Sequence, residues 1–526
     1  MAKILTAYDL EGLTGQHRVW GYNGMDCITP HLITGVLAPR LTPTMQATYD
    51  FELATQAPAM AMMRRAVRVD VPARGRAISG CRSDLKRLMK KLTKLPLVAE
   101  VWDGKRLETG ACPKGVGKRH WWPRGEPDAT RVCKRCGVRR TQPDPLNPNS
   151  PGQCWHFFYD LHKLPPQLNK KREVSTDDEV LERIGNKWPQ FYPITQAMRE
   201  GRGLKKQIGF LNGKLTPDGR YASSFNVGGA DTGRFSSSKS PFWIGGNLQN
   251  IAEKNRAIFI ADPGREMFYA DLEQAESRVV AYVAGDQAYI DAHNSGDVHT
   301  YISRLLWPEL PWTGDMVKDR KIAERPSPFD PDHSYRYNGK RCGHGLNYRL
   351  SAGGLAKWAH IPHDVAKKVY ERYWDVFHQV YAWQGRVAEQ VATTGAITTP
   401  LGRHRFFFGR RDDPHTARQA IAFIPQSMVA DILNAALWWV WKDLDTVGPP
   451  RGAWDHPVEL LAQVHDAILG QVWIGDDAAL TEVLARMTLP VEIGGRTMTI
   501  PVEMMRGKNW GKASDKNPGG LRKWAP

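Results

Sequence analysis

The sequence predicts an α+β protein, and three observations carry that reading. Helical periodicity fills residues 46–100 and resumes in long stretches after 362. Two short apolar runs that end in an acid, "AIFIAD" (257–262) and "EMFYAD" (266–271), have the length and residue types of strands. "QVHDAILGQV" (463–472) reads as two short strands around a turn, with His465 and Asp466 at its tip.

Composition narrows the class. The 526 residues can bury a large core and hold several domains or subdomains. The formal net charge of +17 favours a polyanionic partner, since cations gathered on one surface release counterions from phosphates. Seven cysteines are too few, and odd in number, for a disulfide framework, so a reducing, cytoplasmic setting is expected. The first residues lack the basic-then-apolar pattern of a secretion signal. No run of about 18 apolar residues is present, so no membrane span is expected. "LNAALWWVW" (433–441) is read as a buried helix.

Taken in order, residues 1–45 are mixed, with scattered Gly and Pro. In "RSDLKRLMKKLTKL" (82–95), Leu85, Leu88, Met89 and Leu92 recur at helical spacing among basic residues. This is a basic amphipathic helix, fit to grip a phosphate backbone or simply to be solvated. Residues 100–153 lose apolar periodicity and turn rich in Gly, Pro, Cys, His and Arg. Within them Cys112, His120, Cys133 and Cys136 could form a closed Cys₃His zinc site, with "CKRCG" as its knuckle. Cys154 or His156 could replace one ligand, and free thiols in a basic loop are the plain alternative. "TDDEVLERIGNKW" (176–188) opens as a capped helix at Thr176, with Asp178 and Glu179 in its first turn. A Gly/Ser-rich stretch spans 223–246, and residues 308–335 read as a loop or insertion.

Asp271 closes an apolar run, and Ala275, Val279, Tyr282 and Val283 then mark one face of a helix. An aspartate at a strand end is most often a turn or cap residue. Two of them, Asp271 and Asp466, facing one cleft would repel, so one would take a proton or both would hold cations. Such an oxygen-rich site suits Mg²⁺, and two metals ~3.5–4 Å apart can stabilise both oxygens of a phosphoryl transfer. In "RYNGKRCGHGLNYRLS" (336–351), Arg336, Lys340, His344 and Tyr348 follow one another at intervals of four. On a helix they form one drifting stripe, a nucleotide clamp or a basic surface. Gly339, Gly343 and Gly345 weaken that helix by up to ~1 kcal/mol each, which would suit an element that closes.

"DLEQAESRVVAYVAGD" (271–286) resembles the first palm motif of family A DNA polymerases, the class of bacterial DNA polymerase I. "QVHDAI" (463–468) resembles their second carboxylate motif. "DTGRFSSSKSPFWIGGNLQNI" (231–251) is similar to their segment along primer and template, and "GDVHTYISRLLW" (296–307) to their entry into the fingers. Together these cover roughly residues 155–526. The resemblance implies a right-hand fold: an antiparallel palm sheet with helical fingers and thumb. The expected division is 1–45 a remnant segment, 46–100 N-terminal and thumb helices, 101–150 the zinc-like insertion, and 151–225 thumb. Residues 226–298 and 426–526 would be palm, and 299–425 fingers.

The resemblance also implies roles. Asp271 and Asp466, with the Leu272 carbonyl, would hold two Mg²⁺, for which Mn²⁺ could substitute. Gln274, Glu276, His299, Arg336, Lys340, His344 and Tyr348 would bind the incoming dNTP, with Glu276 blocking a ribose 2′-hydroxyl. Arg234, Gln249, Asn250, Arg418, Gln426 and His465 would contact primer–template DNA. The chain departs from the family at His344, where Phe or Tyr is usual, at Arg349 for Gly, at Ala422 for Asn, and at Ala467 for Glu. Asp9-x-Glu11 and Tyr22-x₃-Asp26 look like pieces of a proofreading exonuclease, a domain that needs well over 100 residues. The expectation is therefore a phage-type polymerase without proofreading, served by a separate exonuclease or replisome proteins. A single-subunit RNA polymerase and a non-catalytic DNA-binding replisome scaffold are the alternatives.

Overall fold

The computed structural model describes residues 15–102, 134, 146–169, 171–359, 361–445 and 456–526. At its centre is a five-stranded sheet, its strands numbered here in chain order: β1 (Arg265–Leu272), β2 (Val458–Val464), β3 (Ala467–Trp473), β4 (Val502–Gly507) and β5 (Arg522–Trp524). The spatial order is β2-β3-β1-β4-β5, and every pairing is antiparallel. All seven residues of β2 are buried, as their near-continuous apolar run requires of a strand covered on both faces. Gly470 in β3 lets the buried Phe268 ring cross the sheet, because a Cβ there would stand 2.4 Å from it.

The longest helix, Pro414–Leu444, packs against the Ala275–Ala284 and His378–Thr394 helices and β2. It is long and apolar enough to cross a membrane, with mean hydropathy 1.5, yet 83% of that window is buried inside the protein. "LNAALWWVW" lies within it. The helix Pro43–Arg65 packs on it and on β2. Arg65 makes two bonds of 2.8 and 2.7 Å to the buried Asp445, and Arg403 joins Asp431 at 2.8 Å. The start of the 46–100 segment therefore packs on the central sheet and the longest helix.

The helices Val71–Leu92, Asp178–Lys187 and Tyr192–Leu211 pack together, in part over a separate apolar cluster that includes Phe157, Phe158, Ile184 and Met198. Leu92 of the basic helix is buried, while Arg82, Lys86, Arg87, Lys90 and Lys91 are exposed. The segment expected as fingers contains the helices Val298–Leu306, Tyr335–Asn347, Ala352–Ala359, His363–Val376 and His378–Thr394.

Four details differ from the sequence reading. "AIFIAD" is not a strand: a 3₁₀ turn, Glu253–Ile258, runs into single bridges from Phe259 to Val69 and from Ile260 to Asn509. Its two partners lie in different segments, so no ladder can grow. Residues 308–335 contain a helix, Met316–Ala323, and a short hairpin. The Asp178–Lys187 helix is capped by Asp177, which accepts from Val180 N at 3.0 Å, while Thr176 is buried. Gly339 and Gly343 are packing residues, since Cβ atoms there would meet Ser303 Oγ at 2.4 Å and Ile302 Cδ1 at 2.7 Å. Asp9, Glu11, Cys112, His120, Cys133 and Cys136 lie outside the described residues, so the zinc set is not placed.

Candidate active site

The sheet register builds the acidic floor. Asp271 on β1 stands opposite Ala467 on β3 and opposite Glu503 on β4. Directly opposed residues share a face, so Asp271 and Glu503 present carboxylates to one side. The β2–β3 turn supplies Asp466, whose carbonyl accepts Leu272 N–H at 3.1 Å. His465 makes this turn in the left-handed region, at φ 56°. It is exposed, while Asp466 is half-buried.

Burial, then the charges of Asp466, Glu503 and Glu273, pushes the Asp271 carboxyl up to about 6. Burial also raises Asp466, partly opposed by Arg234. Carboxylates held at this cost mark a place where a cation belongs. Arg234 answers part of it: its Nη2 donates to Asp466 Oδ1 at 3.3 Å and also to Glu276. Glu276 accepts the Tyr348 hydroxyl as well, and Gln426 reaches Tyr348 in turn. A run of contacts thus joins Asp466, Arg234, Glu276, Tyr348 and Gln426, from palm hairpin to fingers. The hard carboxylate oxygens and the unbalanced charge fit Mg²⁺.

Gln274 adopts αL, at φ 55°, just before the Ala275–Ala284 helix. Its Oε1 is buried without a hydrogen-bond partner. A buried acceptor of this kind is costly unless a ligand supplies the donor.

On the fingers side Arg336 is gripped by the buried Asp297, at 2.8 and 3.1 Å. Asp297 also caps the Val298–Leu306 helix, accepting from His299 N at 3.2 Å and Thr300 Oγ1 at 2.8 Å. Burial, then the Arg336 charge, lowers His299 to about 4, and its buried Nδ1 has no partner. Lys340 and His344 are exposed. Tyr348 does not continue the helical stripe: the helix ends at Asn347, and Tyr348 turns with φ −105° and ψ 27°. Its ring meets His344 edge-on at 4.9 Å.

Gln249 Nε2 donates to the carbonyls of Phe235 at 3.2 Å and Gln463 at 3.4 Å, tying its segment to the palm strands. Asn250 and Arg418 are exposed, and Arg418 sits about two turns ahead of Gln426 on the Pro414–Leu444 helix. The sequence reading missed Glu503 and Asp297. The alternation of β4 could have put Glu503 on the Asp271 face, but only with the register known. Asp297, one residue ahead of an apolar helix, carried a capping signal. A cleft of about 940 Å³ between the Asp178–Lys187 helix and Pro328–Pro362 shares no residue with this site.

Comparison with known proteins gives the family. The family model described as DNA polymerase family A matches residues 137–512. The chain is similar to DNA polymerase I of Mycobacterium bovis, 27% identical over 389 residues, which are 70% of this chain and 39% of that protein. It is 28% identical to the thermostable DNA polymerase I of Thermus aquaticus over 399 residues, 72% of this chain and 43% of that protein. The chain thus spans about two fifths of the length of these relatives. Its fold is similar to the POL domain of Pol1 from M. smegmatis, solved in complex with DNA primer-template and dNTP. The TM-score is 0.63 at 23% identity, covering 87% of this chain and 70% of that one. With the matched region spanning most of its length, the chain belongs to DNA polymerase family A.

Proposed function

We propose that the protein is a template-directed DNA polymerase that adds dNTPs to a primer 3′-hydroxyl. The observation that carries this is the meeting of Asp271 and Asp466 across β1 and the β2–β3 turn, where burial raises both carboxyls and the Asp466 charge raises Asp271 further. Asp271, Asp466 and the Leu272 carbonyl would hold Mg²⁺. When bound, that metal activates the primer hydroxyl and neutralises charge on the triphosphate.

The remaining work falls to this chain's own side chains. Arg336 and Lys340 present cations to the phosphates, with Arg336 oriented by Asp297. His299, kept neutral by burial, donates or accepts through its unpartnered ring nitrogen. Glu276 and Tyr348, held together, wall the place of the ribose and exclude a 2′-hydroxyl. Gln274 offers its bare acceptor, and His344 stands edge-on to Tyr348. Arg234, Gln249, Asn250, Arg418, Gln426 and His465 contact the duplex. Arg234, on Asp466 at 3.3 Å, would stand beside the primer terminus.

The wider setting is part of the same proposal: replication of a phage genome in the host cytoplasm, proofreading by a companion exonuclease, and structural zinc on Cys112, His120, Cys133 and Cys136. The isolated Tyr22/Asp26 piece and the "CKRCG" knuckle support it, while Asp9/Glu11 is read as coincidence. Primer extension with purified protein, Mg²⁺ and four dNTPs tests the central claim. Extension by the wild type, absent in Asp466→Asn and weak with rNTPs, is expected. Equal extension by both proteins would sink it. Mispaired 3′ ends that persist test the absence of proofreading, and stoichiometric zinc lost in Cys133→Ser tests the metal.

A further inference from the structure

The segment from Arg234 to Asn250 begins and ends in the site, but between those ends it leaves the protein surface. Phe235 and Gln249 close the base, through the Gln249 amide on the Phe235 carbonyl at 3.2 Å. The excursion carries Phe242 and Trp243, which are 80% and 76% exposed. Two adjacent large aromatics so open to water forgo several kcal/mol of burial between them, and single scattered apolar residues do not explain a pair at one tip.

The tip is built rather than loose. Trp243 N donates to Ser240 O at 3.0 Å, Ser240 N to Ile244 O at 3.2 Å, and Ile244 N to Ser240 Oγ at 3.2 Å. Below it, Gly245 N donates to Lys214 O at 2.6 Å and Gly246 N to Ala222 O at 3.0 Å. Only glycine fits at 245, where a Cβ would lie 1.7 Å from Ala222 O. Trp243 itself is in the left-handed region, at φ 61°. That conformation is costly for a bulky residue and clusters at functional positions. Lys214 and Lys239, beside the loop base, are exposed, as is Lys254 beyond Asn250.

We propose that the Lys239–Gly246 loop is a DNA-contacting tip, in which Phe242 and Trp243 rest against the sugars and base edges of the primer–template duplex. This deepens the polymerase reading and rests on it. Base and sugar faces are the apolar part of DNA, and aromatic or wedge contacts with them are sequence-tolerant. The lysines supply the phosphate contacts that bring the duplex to the tip. Continuity with Arg234 and Gln249 places the tip on the same duplex that those residues hold.

The test is equilibrium binding of a primer–template duplex to the full chain over a range of salt. Phe242→Ala/Trp243→Ala is expected to weaken binding about tenfold or more with an unchanged slope of log Kd against log salt, because no ion is released at an aromatic contact. Lys214→Ala/Lys239→Ala is expected to reduce that slope by about 2. Trp243→Phe retains most affinity, and thermal melting shows that the exposed substitutions leave the fold intact. Processivity of extension falls in the aromatic variant. Duplex binding within twofold of wild type, or a loss confined to single-stranded DNA, overturns the proposal. Asp466→Asn keeps the two questions apart. If it extends primers normally, the polymerase reading fails; if it is inactive while the aromatic variant binds duplex normally, only the tip fails.

Discussion

The palm floor and the fingers face meet the same force with opposite charges. On the floor, burial pushes Asp271 up to about 6 and raises Asp466. On the fingers side, burial pushes His299 down to about 4, and on the adjoining Gln287–Asn294 helix it pushes His293 to about 3. Desolvation disfavours the charged form in both places. The difference lies in what each region has been given in compensation. On the floor Arg234 leans on Asp466 and Glu276, and Arg256 only partly offsets the rise of Asp271, whereas on the fingers side Arg336 is matched by a full bidentate pair with Asp297. The floor keeps unbalanced negative charge, and the fingers side presents the exposed Lys340 next to that pair. A metal–triphosphate complex, cationic toward one wall and anionic toward the other, fits between two such surfaces.

The comparison breaks first at the floor. Asp271→Asn or Asp466→Asn removes a hard oxygen charge from the place where the phosphoryl transition state would be stabilised. Metal-assisted stabilisation is worth several kcal/mol, so extension should fall by about 10³-fold or more. Single-nucleotide incorporation under single-turnover conditions measures it. A fall of less than tenfold in both variants would mean the floor is not where chemistry occurs.

Next comes the fingers pair. Arg336→Ala removes a phosphate cation and leaves Asp297 buried and unpaired, which costs about 3–5 kcal/mol where the partner charge stays behind. A higher KM for dNTP and a lower melting temperature should appear together. Asp297→Asn added to Arg336→Ala should restore the melting temperature but not the KM. Recovery of both would make Arg336 a structural residue alone. Lys340→Ala, with its exposed ammonium, should raise KM less and leave melting unchanged.

The two regions should also answer pH in opposite directions. Asp271 has a folded value near 6, above its unfolded value of about 3.9, so its neutral form favours the fold. That favour is complete below about 3.9 and lost as pH rises through 6, a swing of at most about 3 kcal/mol. Asp271→Asn should therefore raise the melting temperature at pH 8 and not at pH 4. His293 is the reverse: its folded value near 3 lies below the unfolded value of about 6.5. Its contribution is intact above 6.5 and fades as pH falls toward 3, so His293→Gln should flatten the acid side of the stability curve. Matching pH profiles for the two variants would contradict the assigned causes.

Legibility followed the same divide. The hairpin tip at His465 and Asp466, the strand end at Asp271 and the buried character of 433–441 could all be read from local pattern, because strand alternation and apolar runs are local signals. Charge balance could not. That Arg234 would lean on Asp466, or that Arg336 would be tied to Asp297, depends on contacts between residues 232 and 39 positions apart. The glycines of the Tyr335–Asn347 helix were misread as softeners for the same reason, since the Ser303 and Ile302 side chains that crowd them belong to another helix.

The finest division between the regions runs through Glu503. Ala467 leaves one flank of Asp271 without the acid usual in this family, and Glu503 occupies the other flank. Its charge helps to raise Asp271, after burial and Asp466. It is also partly solvated, with its side chain 39% exposed and Lys523 at 3.6 Å, so its field is screened. Glu503→Gln should then act weakly: the acid limb of the extension rate moves to lower pH, by less than the loss of a closer charge would move it. The Mg²⁺ concentration for half-maximal rate should rise modestly, because one acid facing the site has lost its charge. An acid limb that stays fixed would mean that Glu503 is insulated from Asp271 by solvent and that Asp466 alone sets its proton affinity. A collapse of activity comparable to Asp466→Asn would instead make Glu503 a full member of the carboxylate set, and Ala467 the trace of an exchange of its position across β1.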